Sequence, residues 1–166
     1  MTGNRILYKA LVVITLVSLT ACGGGGATTP IDPVYLGDPS VNTGEQDMID
    51  RHNTTRTTGG LTAFTVNQTL CEVAQNQANY QAQTGQLTHQ DASGDGVDVR
   101  ATNAGYSWTS IGENVGYDTD SQQLYTNWLN SSGHHANIVN PSFVEIGIGR
   151  AQRGIYYYWS VVFGSQ

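Results

Sequence analysis

Apolar residues along this chain follow two spacings, and each predicts a different element. Leu70, Val73, Ala74, Ala78 and Ala82 recur at helical intervals, with Gln and Asn filling the other face. The pattern predicts a helix that starts near Asn67, an N-cap residue, and runs to about Gln83 before Gly85. An earlier helix is predicted from Glu45 to about Thr57, ending at Gly59-Gly60, and a shorter third one carries Leu124, Trp128 and Leu129 and closes at Ser132-Gly133. Residues 90–108 are rich in Gly, Asp and Ser and predict loop, with at most a short helix around Val97 to Asn103. Near the C-terminus the period becomes two. Val144, Ile146 and Ile148 alternate with small or polar residues, and after a turn near Gln152 to Gly154 so do Ile155, Tyr157, Trp159, Val161 and Phe163. That is a β-hairpin with one apolar face, and Gly147 and Gly149 on its other face leave room for another element. With a further strand expected near Glu113 to Gly116, the order of elements predicts an α+β fold.

The first 43 residues follow none of these patterns. Arg5 and Lys9 precede an apolar run from Ala10 to Thr20, and small residues lead to Cys22, the three parts of an export signal. The run is too short for the roughly 20 residues of a membrane-spanning helix. Leu19-Thr20-Ala21-Cys22 resembles the lipobox of bacterial lipoproteins, which implies cleavage after residue 21 and a lipid on Cys22; an ordinary signal peptide cut nearby is the alternative. Residues 22–43 hold four consecutive glycines and three of the four prolines, the composition of a flexible linker. The division expected is therefore 1–21 signal, 22–43 tether and 44–166 a single domain. The destination is the cell envelope, at the outer membrane or the extracellular surface, with the lipid as membrane contact.

Charge narrows the partners. The formal net charge is −6, and loss of Arg5 and Lys9 makes it −8 with no lysine left. Such a surface excludes nucleic acid and electrostatic docking on anionic lipid. The domain is expected to be a monomer. Acylation of Cys22 would use up the only other thiol in the chain, so no disulfide staple is expected and Cys71 reads as a small buried hydrophobe.

Four histidines, His52, His89, His134 and His135, are present, but no HExxH, GxSxG, P-loop or CxxC motif accompanies them. Spacing alone gives no site. In order, however, the chain carries His52-Asn53-Thr54-Thr55-Arg56, Leu87-Thr88-His89, Gly105-Tyr106, Ile111-Gly112-Glu113-Asn114, the stretch WLNSSGHHANI from Trp128 to Ile138, Glu145-Ile146-Gly147-Ile148-Gly149, Tyr158-Trp159 and Phe163-Gly164. This series resembles the CAP superfamily of cysteine-rich secretory, antigen 5 and pathogenesis-related class 1 proteins, whose bacterial members are called SCP-domain proteins. The resemblance implies a three-layer α-β-α sandwich around a central antiparallel sheet, with two histidines and two glutamates meeting in a cleft. By position His89, Glu113 and His134 take three of those places. The fourth falls on Ser131, so one glutamate is missing; Glu145 opens a strand and is not a substitute, and His135 is expected to be exposed.

Two imidazoles and a carboxylate form a zinc set with one place left for water. His89, Glu113 and His134 are thus the candidate ligands of zinc or another divalent metal, and the only candidate catalytic groups. The competing reading makes them a buried hydrogen-bonded cluster that ties helices to the sheet. Arg56 is expected to pair with a carboxylate or cap carbonyls. Tyr156 and Tyr158 belong either to the core or to a carbohydrate-binding or apolar groove. Three sequons, at Asn53, Asn67 and Asn130, are coincidental in a bacterial lipoprotein. A tethered module binding a lipid, glycan or protein is the favoured function. A metal-assisted hydrolase of peptidase type and a structural or adhesion protein are the alternatives. One carboxylate serving as both ligand and base weighs against catalysis.

Overall fold

The computed structural model of the chain describes residues 43–166, so the expectations for the signal, Cys22 and the linker lie outside the described residues. Nine elements follow one another: α1 (Thr43–Thr58), β1 (Thr65–Val66), α2 (Gln68–Thr84), α3 (Val97–Asn103), β2 (Ser110–Asp118), α4 (Ser121–Asn130), α5 (Ser132–Ile138), β3 (Glu145–Arg153) and β4 (Tyr156–Ser165). The strands form one sheet in the order β1-β3-β4-β2. β2 and β3 each pair antiparallel with β4, while β1 pairs parallel with β3, matching Val66 to Ile146. The sheet is therefore mixed, not wholly antiparallel. The two-residue β1 has no period of its own, and only its bonds to the start of β3 make it a strand.

The helices cover both faces of the sheet. On one face α2, α3 and the segment after α3 pack Leu70, Val73, Ala74, Ala101 and Tyr106 against Val162. On the other, α1, α4 and α5 pack Met48, Ile49, Leu124, Trp128 and Ile138 against Ile146, Ile148, Trp159, Val161 and Phe163. The glycines of β3 explain why α2 lies so close: a Cβ on Gly147 would overlap the backbone of Leu70 and Cys71, and one on Gly149 that of Ala74 and Gln75. α2 itself starts and stops where its sequence says. The Asn67 side chain accepts from the Leu70 amide at 3.2 Å, and Gly85 at φ 75° ends the helix by donating to the Gln81 carbonyl.

Three elements depart from their patterns. The segment after α4 does not end in a turn: Ser131, the last cap of α4, also opens α5. The hairpin turns at Gly154-Ile155, later than expected, with Gly154 at φ 61°. Ile155 is consequently not a core residue but 70% exposed at the tip, and Val144 precedes β3 on the surface. Finally, β2 extends well beyond the short strand its alternation suggests.

Candidate functional site

β2 is an edge strand, and Glu113 lies on its face toward α2 and α3, opposite Val162. A carboxylate buried there needs donors, and neighbouring elements supply them. Oε1 accepts from Arg100 Nη2 of α3 at 2.9 Å and from the Ser160 hydroxyl of β4 at 2.7 Å. Oε2 faces His89 Nδ1 at 2.9 Å. Arg100 also donates to the carbonyls of Val73 and His89, which ties α2 and the loop to the same knot. The Glu113 side chain is 1% exposed and that of His89 58%, so the carboxylate is sealed in while the imidazole projects outward.

The loop bearing His89 is pinned from α2. Gln77 donates to the carbonyls of Thr88 and Gln90, and Gln81 donates to Thr88. His134 reaches the site from α5, on the other side of β2, with its Nδ1 2.9 Å from the Ser131 hydroxyl. The two imidazoles are pushed apart in basicity. The hydrogen bond to Glu113 raises His89 above its ordinary value, against partial burial. His134 is lowered by burial and by the neighbouring charge of His89.

The signature stretch from Trp128 to Ile138 has a second task, which is closing the free edge of β2. Trp128 Nε1 donates to the Val115 carbonyl, and Asn137 donates to the Glu113 carbonyl and to the side-chain oxygen of Asn114. Asn114 in turn donates to the His134 carbonyl. Edge carbonyls that would otherwise template a further strand are thus occupied, and the same bonds fix α5 and His134.

Of the residues expected at the site, the structure joins His89 and Glu113 directly and sets His134 nearby; Ser131, at the place of the missing glutamate, contacts His134. Among the described residues no group of three or more His, Cys, Asp or Glu is arranged to hold a metal ion. Both Glu113 oxygens are already occupied, one of them by a guanidinium that cancels its charge. Glu113 therefore takes the place of the carboxylate behind a histidine rather than that of an open ligand. The nitrogens left for a ligand are Nε2 of His89 and Nε2 of His134.

Other residues fall as follows. Glu145 bonds Tyr106 and Asn67, apart from the Glu113 knot, and His135 is exposed. Tyr106 packs where a side chain on Gly164 would sit, which accounts for the paired Gly105-Tyr106 and Phe163-Gly164 signatures. Arg56 caps carbonyls and has no carboxylate partner among the described residues. Cys71 is buried as expected, but the expectation of no disulfide is corrected: it is disulfide-bonded. Asn53 and Asn67 are engaged in hydrogen bonds to neighbouring backbone, so of the three sequons only that of Asn130 is exposed. Arg100, Ser160 and Gln77 were not legible as site residues, because nothing in their local sequence points to Glu113.

Known proteins share this fold. The model of the cysteine-rich secretory protein family, CAP, matches residues 49–163. An uncharacterized protein of Bacillus subtilis, YkwD, is 28% identical over 117 residues, covering 69% of this chain and 45% of the relative. A second, the membrane protein YlbC, is 25% identical over 108 residues, covering 64% of this chain and 31% of that protein. The chain thus spans less than half the length of these curated relatives. Among solved structures, an outer surface protein of Borrelia burgdorferi superposes with a TM-score of 0.70 at 20% identity, covering 74% of this chain and 92% of the other. An extracellular SCP-domain protein of Bacillus anthracis gives 0.71 at 20% identity, covering 84% and 45%. At these identities the likeness is one of fold. Among the described residues, no helix is long and apolar enough to cross a membrane. With the family model covering most of the domain, and with its signature residues accounted for at the sheet edge, this chain belongs to the cysteine-rich secretory protein (CAP) family.

Proposed function

We propose that this chain is an exported binding module whose ligand seats on the outward nitrogens of His89 and His134, with Glu113 holding His89 from behind. The observation that carries this reading is the full commitment of Glu113: Arg100 and Ser160 hold one oxygen and His89 the other. A general base must be reached by the proton it takes, and this carboxylate is sealed in at 1% exposure with both oxygens already hydrogen-bonded. Glu113 is therefore poorly placed as the base of the hydrolase alternative, whereas an imidazole oriented by a buried carboxylate is well placed to bind.

Zinc is the probe of the seat, because it reports on ring nitrogens whatever the natural ligand is. Titration calorimetry of the exported chain should show zinc binding that His89→Ala and His134→Ala each remove. Glu113→Gln should weaken it about 10–100-fold, as loss of an orienting partner does. Identical isotherms for all four proteins would remove the histidine seat and leave the cluster a purely structural one. Zinc-dependent peptide hydrolysis, abolished in Glu113→Gln, would overturn the binding reading in favour of the hydrolase.

The reading also places the module at the cell envelope on a lipid at Cys22, supported by the Leu19-Thr20-Ala21-Cys22 sequence. With only two cysteines in the chain and Cys71 disulfide-bonded, a lipid on Cys22 requires that Cys71 pair between chains rather than with Cys22. Mass spectrometry of the peptide containing Cys22 decides between a lipid there and a bond to Cys71. A diacylglyceryl adduct is expected, and a peptide cross-linked to that of Cys71 sinks the anchor.

A further inference from the structure

The face of the sheet that carries Glu113 does not end at the histidine cluster. Glu113, Val115 and Tyr117 alternate onto it along β2, and the register sets Ser160 opposite Val115 and Tyr158 opposite Tyr117. Tyr156, two residues before Tyr158 on β4, shares the face. At this end three tyrosine rings meet. Tyr117 and Tyr158 stack at 5.1 Å between centroids with planes 23° apart, and Tyr117 meets Tyr156 at 5.5 Å and 86°. Tyr158 is the buried floor, while Tyr117 and Tyr156 are 46% and 44% exposed.

From this juxtaposition we infer that Tyr117, Tyr156 and Tyr158 form a carbohydrate subsite that stacks a neutral pyranose ring. Three observations select that occupant. The first is size. Two half-exposed tyrosines present on the order of 200 Å² of ring surface, far below the roughly 800 Å² per partner of a stable protein interface. One sugar ring fits; a second copy of the chain does not. The second is chemistry: among the described residues none of the three phenol hydroxyls makes a protein hydrogen bond, and those of the half-exposed Tyr117 and Tyr156 are open to a sugar hydroxyl. Rings at right angles offer a face and a wall to a sugar, whose axial C–H groups pack on one while its edge hydroxyls meet the other. The third is charge. Arg153 lies opposite Tyr156, but its guanidinium is spent on the carbonyls of Ala82 and Gln83 at the end of α2, and the residue opposite Tyr158 is Ala151. No free charge on these strand positions waits for an ionic ligand.

The subsite goes beyond the histidine seat and stands without it. Tyr117 follows Glu113 by four residues on one strand, about 13 Å at ~3.3 Å per residue, so an oligosaccharide of a few rings would span the two.

The test uses the exported chain and two neutral probes, cellotetraose and tetra-N-acetylchitotetraose. Side-chain NMR should show the ring signals of Tyr117 and Tyr156 moving with at least one probe. Tyr117→Ala and Tyr156→Ala should each weaken binding about tenfold or more, whereas Tyr156→Phe, which keeps the ring, should lose no more than about threefold. Circular dichroism of each variant confirms the fold, since both rings are at the surface. Unmoved tyrosine signals with both probes would overturn the inference, as would binding indifferent to Tyr117→Ala. So would concentration-dependent dimers abolished by Tyr117→Ala, because the patch would then serve a second copy. The seat is read separately: zinc binding retained while sugar binding is absent rejects the subsite alone.

Discussion

Two buried arginines, one on each side of the sheet, show how the same side chain serves opposite purposes. Arg56, on the α1 side, donates to the carbonyls of Thr62, Ile138, Asn140 and Phe143 and lies 3.8 Å from the centre of the Phe64 ring. Arg100, on the α2 side, meets a carboxylate. The first arrangement is a knot. It gathers the end of α1, the end of α5 and the approach to β3 around one planar fork, and it points at no ligand. The second leaves an imidazole standing in solvent with its Nδ1 held. A buried charge paired with carbonyls ties elements together, and one that neutralises the support of an exposed imidazole sets up the candidate site. The histidines repeat the contrast: burial lowers His52, beside Arg56, to about 4, while Glu113 raises His89.

Removing the first knot should have the largest effect. Arg56→Ala leaves four carbonyls without their donor and is expected to cost about 3–5 kcal/mol in urea denaturation. Arg56→Lys should recover only part of this, because an ammonium cannot match the fork. Full recovery with lysine would show that charge, not geometry, ties the helices. Next comes Glu113→Gln, which strips Arg100 of its counter-charge at an expected cost of about 3 kcal/mol. In a double-mutant cycle with Arg100→Gln the losses should not add, and simple additivity would mean that the pair does not act as a unit.

The pH dependence separates the two sides by sign. His52 has a folded-state value below its unfolded one, so the unfolded chain binds the extra proton. Its contribution is present above about 6.5 and is lost as pH falls toward 4, by up to about 3 kcal/mol. His89 is raised, so its contribution is complete below 6.5 and fades as pH rises through its folded value. The effect of His89, a half-exposed group, should be the smallest of all. NMR titration of the ring protons checks both, with His89 expected above 6.5 and His134 below it. A His52 titrating near its ordinary value of 6.5 would mean that α1 is not packed as described.

Legibility in the sequence followed the periodicity. α2 was readable end to end because its buried stripe is apolar and its caps, Asn67 and Gly85, are local devices. α1 was readable mainly from its ends, since its buried stripe runs Met48, Ile49, His52 and Arg56, and the last two look like surface residues until their partners are known. β1 was invisible, since two residues have no period. Ser132-Gly133 reads as a stop, yet α5 begins there, because its helix is held by Asn137 and Asn114 against the edge of β2. At the site, His89, Glu113 and His134 were found by resemblance, whereas Arg100 and Ser160 lie 13 residues before and 47 residues after Glu113 with no signal linking them.

By itself the sequence determined the α+β order, the apolar hairpin and the close approach of a helix at Gly147 and Gly149, and it nominated three positions for the candidate site. These rest on local spacing, on side-chain size and on the order of short motifs, which a single chain records directly. The tertiary structure alone decided what surrounds those positions: a guanidinium on Glu113, a sealed edge on β2, three tyrosines on the same face. Each depends on partners brought together by the register of β2 on β4 and by the helices folded over it. Glu113 carries the lesson, since a carboxylate is a ligand, a base or a support according to which donors reach it.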